Sequence, residues 1–310
     1  MKYLVLVGNR NEQFFQFLKN TSTVIVSNIY KRLTFPRRII RKCFSYFDKC
    51  PVFLFEKFAN DDFKPDIIII SDDTVDSSLF KLLRKIYPHA KLIYWFRNSL
   101  DAVDYKKAKE IHLKHSRLCD YVISFDKNDS KKYGFCYIEN CYYRPKSLEN
   151  LKNNYDVVFL GTDKSRYELI DEFYQRCKKY NLRTWIYVYS YTRDESLLVH
   201  HKFVNYNCYL EYVRKSKAIL DVVDRNYQNG YSLRVFEALF YRKKLITNDT
   251  GIVNEPFYNK NNIYVFAPSN WESLNGLYDF LNAPYYDIKD EIKNKYEFYH
   301  WLNRVENLCW

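Results

Sequence analysis

Short, wholly apolar runs recur along this chain. Each stops at a glycine or a polar turn, and each is followed by a helical pattern. The run Tyr3–Val7 (YLVLV) stops at Gly8, and a helix is expected over 12–18. Residues 66–70 (DIIII) end at Ser71-Asp72-Asp73 and lead into an amphipathic helix over 75–86. Further strands are expected at 23–26, 92–95 and 121–124, with helices at 102–115 and 128–133. A strand that is apolar on both faces has to be covered on both faces, and the alternating helices supply that cover. The pattern therefore belongs to a parallel sheet between two helical layers.

The segment 142–154 (YYRPKSLENLKNN) has no apolar period and reads as a linker. The alternation then restarts. Strands are expected at 156–160, 184–188, 218–222, 244–247 and 263–266, with helices at 167–180, 209–215, 232–240, 271–281 and 288–305. A chain of 310 residues exceeds one ordinary domain of about 100–150 residues. The expected organisation is a Rossmann-like domain at 1–145, a second at 146–290, and a C-terminal helix at 291–310 packing back towards the first. In such an α/β fold a ligand is expected at the carboxyl ends of the strands, in a crevice between the domains.

Composition removes other classes. Apolar residues make up 47% of the chain and charged residues 28%, too much apolar surface for intrinsic disorder. No apolar run approaches the length of a membrane span. The N-terminus, MKYLVLVGNRNE, reads as a first strand and not a signal peptide, so a cytoplasmic protein is expected. The eight cysteines are scattered without a CxxC pair, as expected of small core residues and not of a zinc site or a disulfide framework. The net charge of +12 points to a polyanionic partner: nucleic acid, an anionic membrane surface or a phosphorylated substrate.

The segment 229–247, NGYSLRVFEALFYRKKLIT, carries the most chemistry. Gly230 lies in a loop after a strand, and Ser232 stands where a helix N-cap would be. A helix N-terminus has unpaired N–H groups and a favourable dipole, which suits a phosphate. Arg234 can add a bidentate contact. Glu237 is three residues on and projects from about the same face, where a carboxylate can accept from ribose hydroxyls. An ordinary amphipathic helix with Arg234 and Glu237 as a solvated ion pair is the alternative.

This segment resembles the donor-binding signature of GT-B fold glycosyltransferases, and more specifically that of bacterial lipopolysaccharide and capsule enzymes. Glu237-Ala238-Leu239 matches the second Glu of that signature, while Asn229 stands where the first Glu would be, ahead of Gly230. The loop Gly161-Thr162-Asp163-Lys164-Ser165-Arg166 is similar to the Gly loop that faces the donor diphosphate, with Lys164 and Arg166 as its cations; a solvated basic turn is the alternative. Ser124-Phe125-Asp126-Lys127 resembles, more weakly, the end of the first domain. The resemblance implies the GT-B fold and transfer of a sugar from a nucleotide-activated donor to a lipid-linked or cell-surface glycan. Donor contacts would fall on Gly161, Lys164, Arg166, Asn229, Gly230, Ser232, Arg234 and Glu237. No Asp-x-Asp occurs, so no metal and no cofactor is expected, the nucleotide sugar being a co-substrate.

For an inverting reaction Asp101 and Asp126 are the candidate catalytic bases, with helix capping as the alternative. His112 and His115 are expected to be solvated on a polar helix. Residues 30–57 interleave Lys31, Arg32, Arg37, Arg38, Arg41 and Lys42 with Phe35, Ile39, Ile40, Phe44 and Phe47. That suits an anionic membrane surface, at roughly 1 kcal/mol per basic residue near it, or a core helix with a solvated basic face. Arg10, Arg37, Arg38, Arg41, Lys42 and Arg97 are the candidates for membrane or acceptor contact, with the protein peripheral at the inner face of a bacterial membrane. Nucleic acid is not expected as a partner, since no recognisable module for it is present. The other reading is a non-catalytic basic Rossmann-like protein that binds a membrane surface or nucleic acid. A nicotinamide enzyme is disfavoured, because Gly8-Asn9-Arg10-Asn11 lacks the GxGxxG spacing.

Overall fold

The computed structural model describes residues 1–9, 13–32, 34–58, 62–73, 76–101, 106–148 and 151–309. The chain divides into two compact units: Met1–Glu139 with Leu302–Trp310, and Asn140–Trp301.

The first unit holds β1 (Tyr3–Val7), β2 (Val24–Asn28), α1 (Phe35–Ser45), β3 (Ile67–Ser71), α2 (Ser77–Ile86), β4 (Lys91–Phe96), α3 (Lys106–Ser116), β5 (Tyr121–Ser124), α4 (Lys127–Tyr133) and β6 (Cys136–Tyr137). Among the described residues these strands form one sheet in the order β2-β1-β3-β4-β5-β6, every pair parallel. Every residue of β1 and β3 is buried, as an inner strand covered on both faces requires. Asp76 caps α2 by accepting from the Ser78 amide at 3.1 Å, and Leu79, Phe80 and Leu83 turn that helix into the core.

Two local expectations change. In place of an α-helix over 12–18 there is a 3-10 turn, Gln13–Phe17. The neighbours Phe14 and Phe15 of this turn are both buried. His112 and His115 are buried and not solvated. Tyr94 Oη lies 2.6 Å from His112 Nδ1, and His115 Nε2 lies 2.8 Å from Asp48 Oδ1. The i, i+3 spacing places both rings on the inner face of α3, where His115 packs on Phe80. Burial pulls His112 down to about 4, so it sits there uncharged.

The second unit holds β7 (Tyr155–Thr162), α5 (Tyr167–Lys179), β8 (Thr184–Tyr189), β9 (Val199–His200), α6 (Tyr206–Arg214), β10 (Ser216–Asp221), α7 (Leu233–Phe240), β11 (Lys244–Thr247), β12 (Ile263–Val265), α8 (Leu277–Asn282), α9 (Asp290–Asn294) and α10 (Phe298–Cys309), whose last residues belong to the first unit. Its sheet runs β12-β11-β10-β7-β8-β9, again with every pair parallel.

The single helix expected over 288–305 is two, α9 and α10. The break is made by Tyr142, whose amide donates to the Tyr296 carbonyl at 2.8 Å while its carbonyl accepts from the Phe298 amide at 2.8 Å. Tyr142, read as the start of a linker, is thus a fully buried part of the second unit. The helix expected over 271–281 divides into a turn at Trp271–Leu274 and α8. Gly276 lies at that division, where a Cβ would meet the Tyr264 hydroxyl at 3.3 Å.

Cys50, Cys141 and Cys177 are buried as expected of core residues, but Cys43 and Cys208 are exposed; all five are free thiols. No helix of the described residues is long and apolar enough to cross a membrane.

Candidate functional site

In the second unit the carboxyl ends of β7 and β10 bring two guanidinium groups to one glycine. Ser232 caps α7: its Oγ accepts from the Arg234 amide at 3.2 Å and donates to Asp221 Oδ1 at 2.8 Å. Arg234, in the first turn, reaches across to β10 and β7. Its Nε donates to the same Asp221 oxygen at 2.9 Å, and its Nη1 to the Leu160 carbonyl at 3.1 Å. Arg166 stands at the start of α5. Its Nη1 donates to the Val222 carbonyl at 2.7 Å, and its Nε and Nη2 to the Thr162 carbonyl at 3.2 and 3.1 Å.

Both guanidinium groups lie over the Phe159 ring, at 5.7 and 5.1 Å from its centroid. Gly161 is the gap between them. A Cβ there would come within 2.8 Å of Phe159 Cζ, 3.1 Å of Arg166 Nη2 and 3.3 Å of Arg234 Nη1. Burial, with the like charge of Arg234 beside it, pulls Arg166 down to about 9. Of the two cations Arg234 is hydrogen-bonded to a carboxylate, Asp221, while Asp221, Asp163 and Asp224 act on Arg166 through their charge. Asp163 is itself taken up by Arg193 Nε at 2.6 Å. The arrangement favours an added anion.

The other residues expected at this site fall as follows. Lys164 is exposed, and it and Ser165 have φ of +42° and +62°. Two consecutive left-handed non-glycine residues cost about 1–2 kcal/mol each, a strain of the kind held at ligand loops. Asn229 Oδ1 accepts from Arg225 at 3.4 Å, and the Gly230 carbonyl accepts from Gln228 at 2.8 Å. Glu237 parts from Arg234. It is 2% exposed, and its two oxygens accept from Tyr206 Oη at 2.7 Å and Tyr209 Oη at 2.8 Å. Tyr206 is joined in turn to Tyr142 at 2.5 Å. Burial raises the Glu237 carboxyl, and the two tyrosines pull it part of the way back. The solvated Arg234–Glu237 pair is thus absent, and Glu237 faces a buried tyrosine cluster. Asp221 and these tyrosines were not legible as site residues, since they meet Arg234 and Glu237 only through the folded sheet.

The first unit has its own cluster at the ends of β1, β3 and β4. Asp73 accepts from the Gly8 amide at 2.8 Å, from the Ser71 hydroxyl, and from Arg97 Nη2 at 2.8 and 2.9 Å. Asp72 accepts from the Asn98 amide at 3.0 Å. Burial pushes Asp72 up to about 6, although Arg97 opposes it. Burial raises Asp73 as well, but Arg97, Ser71 and the Gly8 amide more than offset it and leave it below the usual carboxylate range. Arg97 is therefore not a surface cation: its side chain is 12% exposed and locked between Asp72 and Asp73.

Of the candidate bases, Asp126 caps α4, accepting from the Asn128 and Asp129 amides at 2.8 and 3.2 Å. Asp101 is ion-paired with Lys109 and with Lys132, which hold its carboxyl low. Arg10 lies outside the described residues. Arg37, Arg38, Arg41 and Lys42 lie on α1, where Arg41 sits 3.8 Å over the Tyr30 ring. Along α1 and the turn after it Phe35 is 77% and Phe47 75% exposed, so this is not a core helix, although Ile40 packs on the core.

Over 94% of its length the chain superposes on 87% of an alpha-glucosyltransferase solved in complex with UDP and a 13-mer DNA containing a central A:G mismatch, with a TM-score of 0.54 and 13% identity. The chain has the GT-B fold. A sucrose-phosphate synthase from Thermosynechococcus elongatus is similar to the same degree, with a TM-score of 0.54 and 12% identity over 94% of this chain and 84% of that one. No family model matches the sequence, and no curated protein matches it either.

Proposed function

We propose that this protein is a glycosyltransferase whose second unit binds the diphosphate of a nucleotide sugar between Arg166 and Arg234, over Gly161. The observation that carries the reading is the pair of half-buried guanidinium groups that meet at Gly161, Arg234 on Asp221 and Arg166 on the Val222 carbonyl, at the strand ends of a GT-B chain. Lys164, Asn229, Gly230 and Ser232 border the same strand ends and would complete the donor site. Glu237 would act behind it, by fixing α7 to α6 through Tyr206 and Tyr209.

The first unit would take the acceptor near Asp72, Asp73 and Arg97. Asp101 and Asp126 are its weaker base candidates, because each already holds an ion pair or a helix cap. The guanidinium pair would stabilise the leaving nucleotide diphosphate electrostatically, so transfer would proceed without a metal. The α1 segment supports a lipid-linked acceptor of the lipopolysaccharide or capsule kind. Its exposed aromatic and basic residues suit the inner face of an anionic bacterial membrane.

UDP-sugars come first as donors, because the superposed alpha-glucosyltransferase was solved with UDP. The test is a thermal-shift panel of UDP-, GDP-, CMP- and dTDP-sugars with and without EDTA. A ligand at a hundredfold excess over Kd stabilises by about 2.7 kcal/mol, so one nucleotide class should raise Tm regardless of EDTA. A flat response to all four classes would overturn the reading in favour of a non-catalytic basic protein.

A further inference from the structure

The Lys243-Lys244 pair lies at the other end of the second unit's sheet from Arg166 and Arg234, where β10 and β11 begin. Lys244 is turned into the core, with its Nζ on the Asn261 and Phe280 carbonyls. Lys243 borders a cavity of about 440 Å³. Its Nζ donates to the carbonyls of Arg214 and Ser216 at 2.7 Å each, and no carboxylate among the described residues pairs with it. Burial alone lowers it to about 8, which leaves it charged at neutral pH.

Two more cations line the same cavity. Arg214 has a buried Nε with no hydrogen-bond partner. Arg242 is held there with φ of +53°, a backbone conformation that strains any residue but glycine. Both arginines are paired with exposed carboxylates that do not line the cavity: Glu211 with Arg214 and Asp287 with Arg242, 57% and 67% exposed. Leu148, Leu151 and Tyr285 form an apolar wall. The volume lies within the range of about 300–1,000 Å³ typical of small-molecule sites.

We propose that this cavity is a second anion site, taking the phosphate of a small organic phosphate on Arg214, Arg242 and Lys243, with the organic part against the Leu148, Leu151 and Tyr285 wall. It is separate from the donor site and stands or falls without it.

The experiment is calorimetric titration of phenyl phosphate and of inorganic phosphate into the full chain and into Arg242→Gly, Lys243→Met and Arg234→Met. Arg242→Gly relieves the left-handed strain, so it keeps the fold while losing the charge. The expected result is a phenyl phosphate binding event weakened at least tenfold by Arg242→Gly and by Lys243→Met, and retained in Arg234→Met. Phenyl phosphate should also bind more tightly than inorganic phosphate. The proposal is overturned if nothing binds at millimolar concentration, or if Arg242→Gly leaves all binding intact. Equal affinity for the two probes overturns the assignment of an organic phosphate.

Discussion

Replacing Arg234 by Met keeps an apolar stem over Phe159 and removes the guanidinium. Two separate losses follow. Asp221 is 1% exposed and, among the described residues, would keep the Ser232 hydroxyl as its hydrogen-bond partner, while the Leu160 carbonyl would lose the Arg234 donor. Removing one partner of a buried ion pair costs about 3–5 kcal/mol. In a domain of about 150–250 residues that corresponds to a fall in Tm of roughly 6–20 °C. The second loss is a charge-assisted contact to the donor diphosphate, worth about 1.5–3 kcal/mol, or roughly 10- to 150-fold in Kd. Adding Asp221→Asn separates the two, because it removes the orphaned charge: the double variant should recover much of the stability but none of the affinity. The assays are thermal unfolding by circular dichroism and calorimetric titration of the nucleotide sugar. If Arg234→Met unfolds at the native temperature, or binds the donor as the native chain does, the reasoning fails.

Three further outcomes follow from the same geometry. Gly161→Ala drives a Cβ against Phe159 and both arginines, so a loss of about 1–3 kcal/mol in chemical denaturation and a drop of at least tenfold in donor affinity are expected; unchanged binding would show that the glycine does not matter to the site. Asp72, raised from 3.8 to about 6, lets the folded state hold its proton longer than the unfolded chain, so it draws stability down as pH rises from about 4 to 6, by up to about 3 kcal/mol. Asp73 is lowered, so its contribution is lost only as pH falls below about 4, and Asp72→Asn should flatten the upper window alone in urea midpoints taken across pH. Phe35→Ser with Phe47→Ser should weaken sedimentation with anionic vesicles severalfold without changing Tm, since both rings already face solvent; unaltered sedimentation would remove α1 from membrane contact.

What the sequence made legible is what is encoded locally. β1 and β3 announce themselves because a strand buried on both faces is apolar nearly throughout. The cap at Ser232 is a local signal too, as Ser before an apolar helical period. What was illegible depends on partners distant in the chain. Nothing near residue 296 shows that Tyr142 will bridge there and divide a helix. His112 and His115 look solvated within a Lys-rich helix, until β4 and Asp48 arrive from elsewhere to bury them. Arg234 and Glu237 share a helical face by spacing, yet Asp221 and the α6 tyrosines draw their charged ends apart. The two-residue edge strands β6 and β9 are too short to carry a period at all.

The most direct test of the donor site is to compare UDP with uridine by calorimetry on the native chain and on Arg166→Met and Arg234→Met. If Arg166 and Arg234 hold the diphosphate, UDP should bind at least a hundredfold more tightly than uridine, and either variant should remove most of that difference. UDP and uridine binding alike, or an advantage of UDP that survives in both variants, would contradict the account.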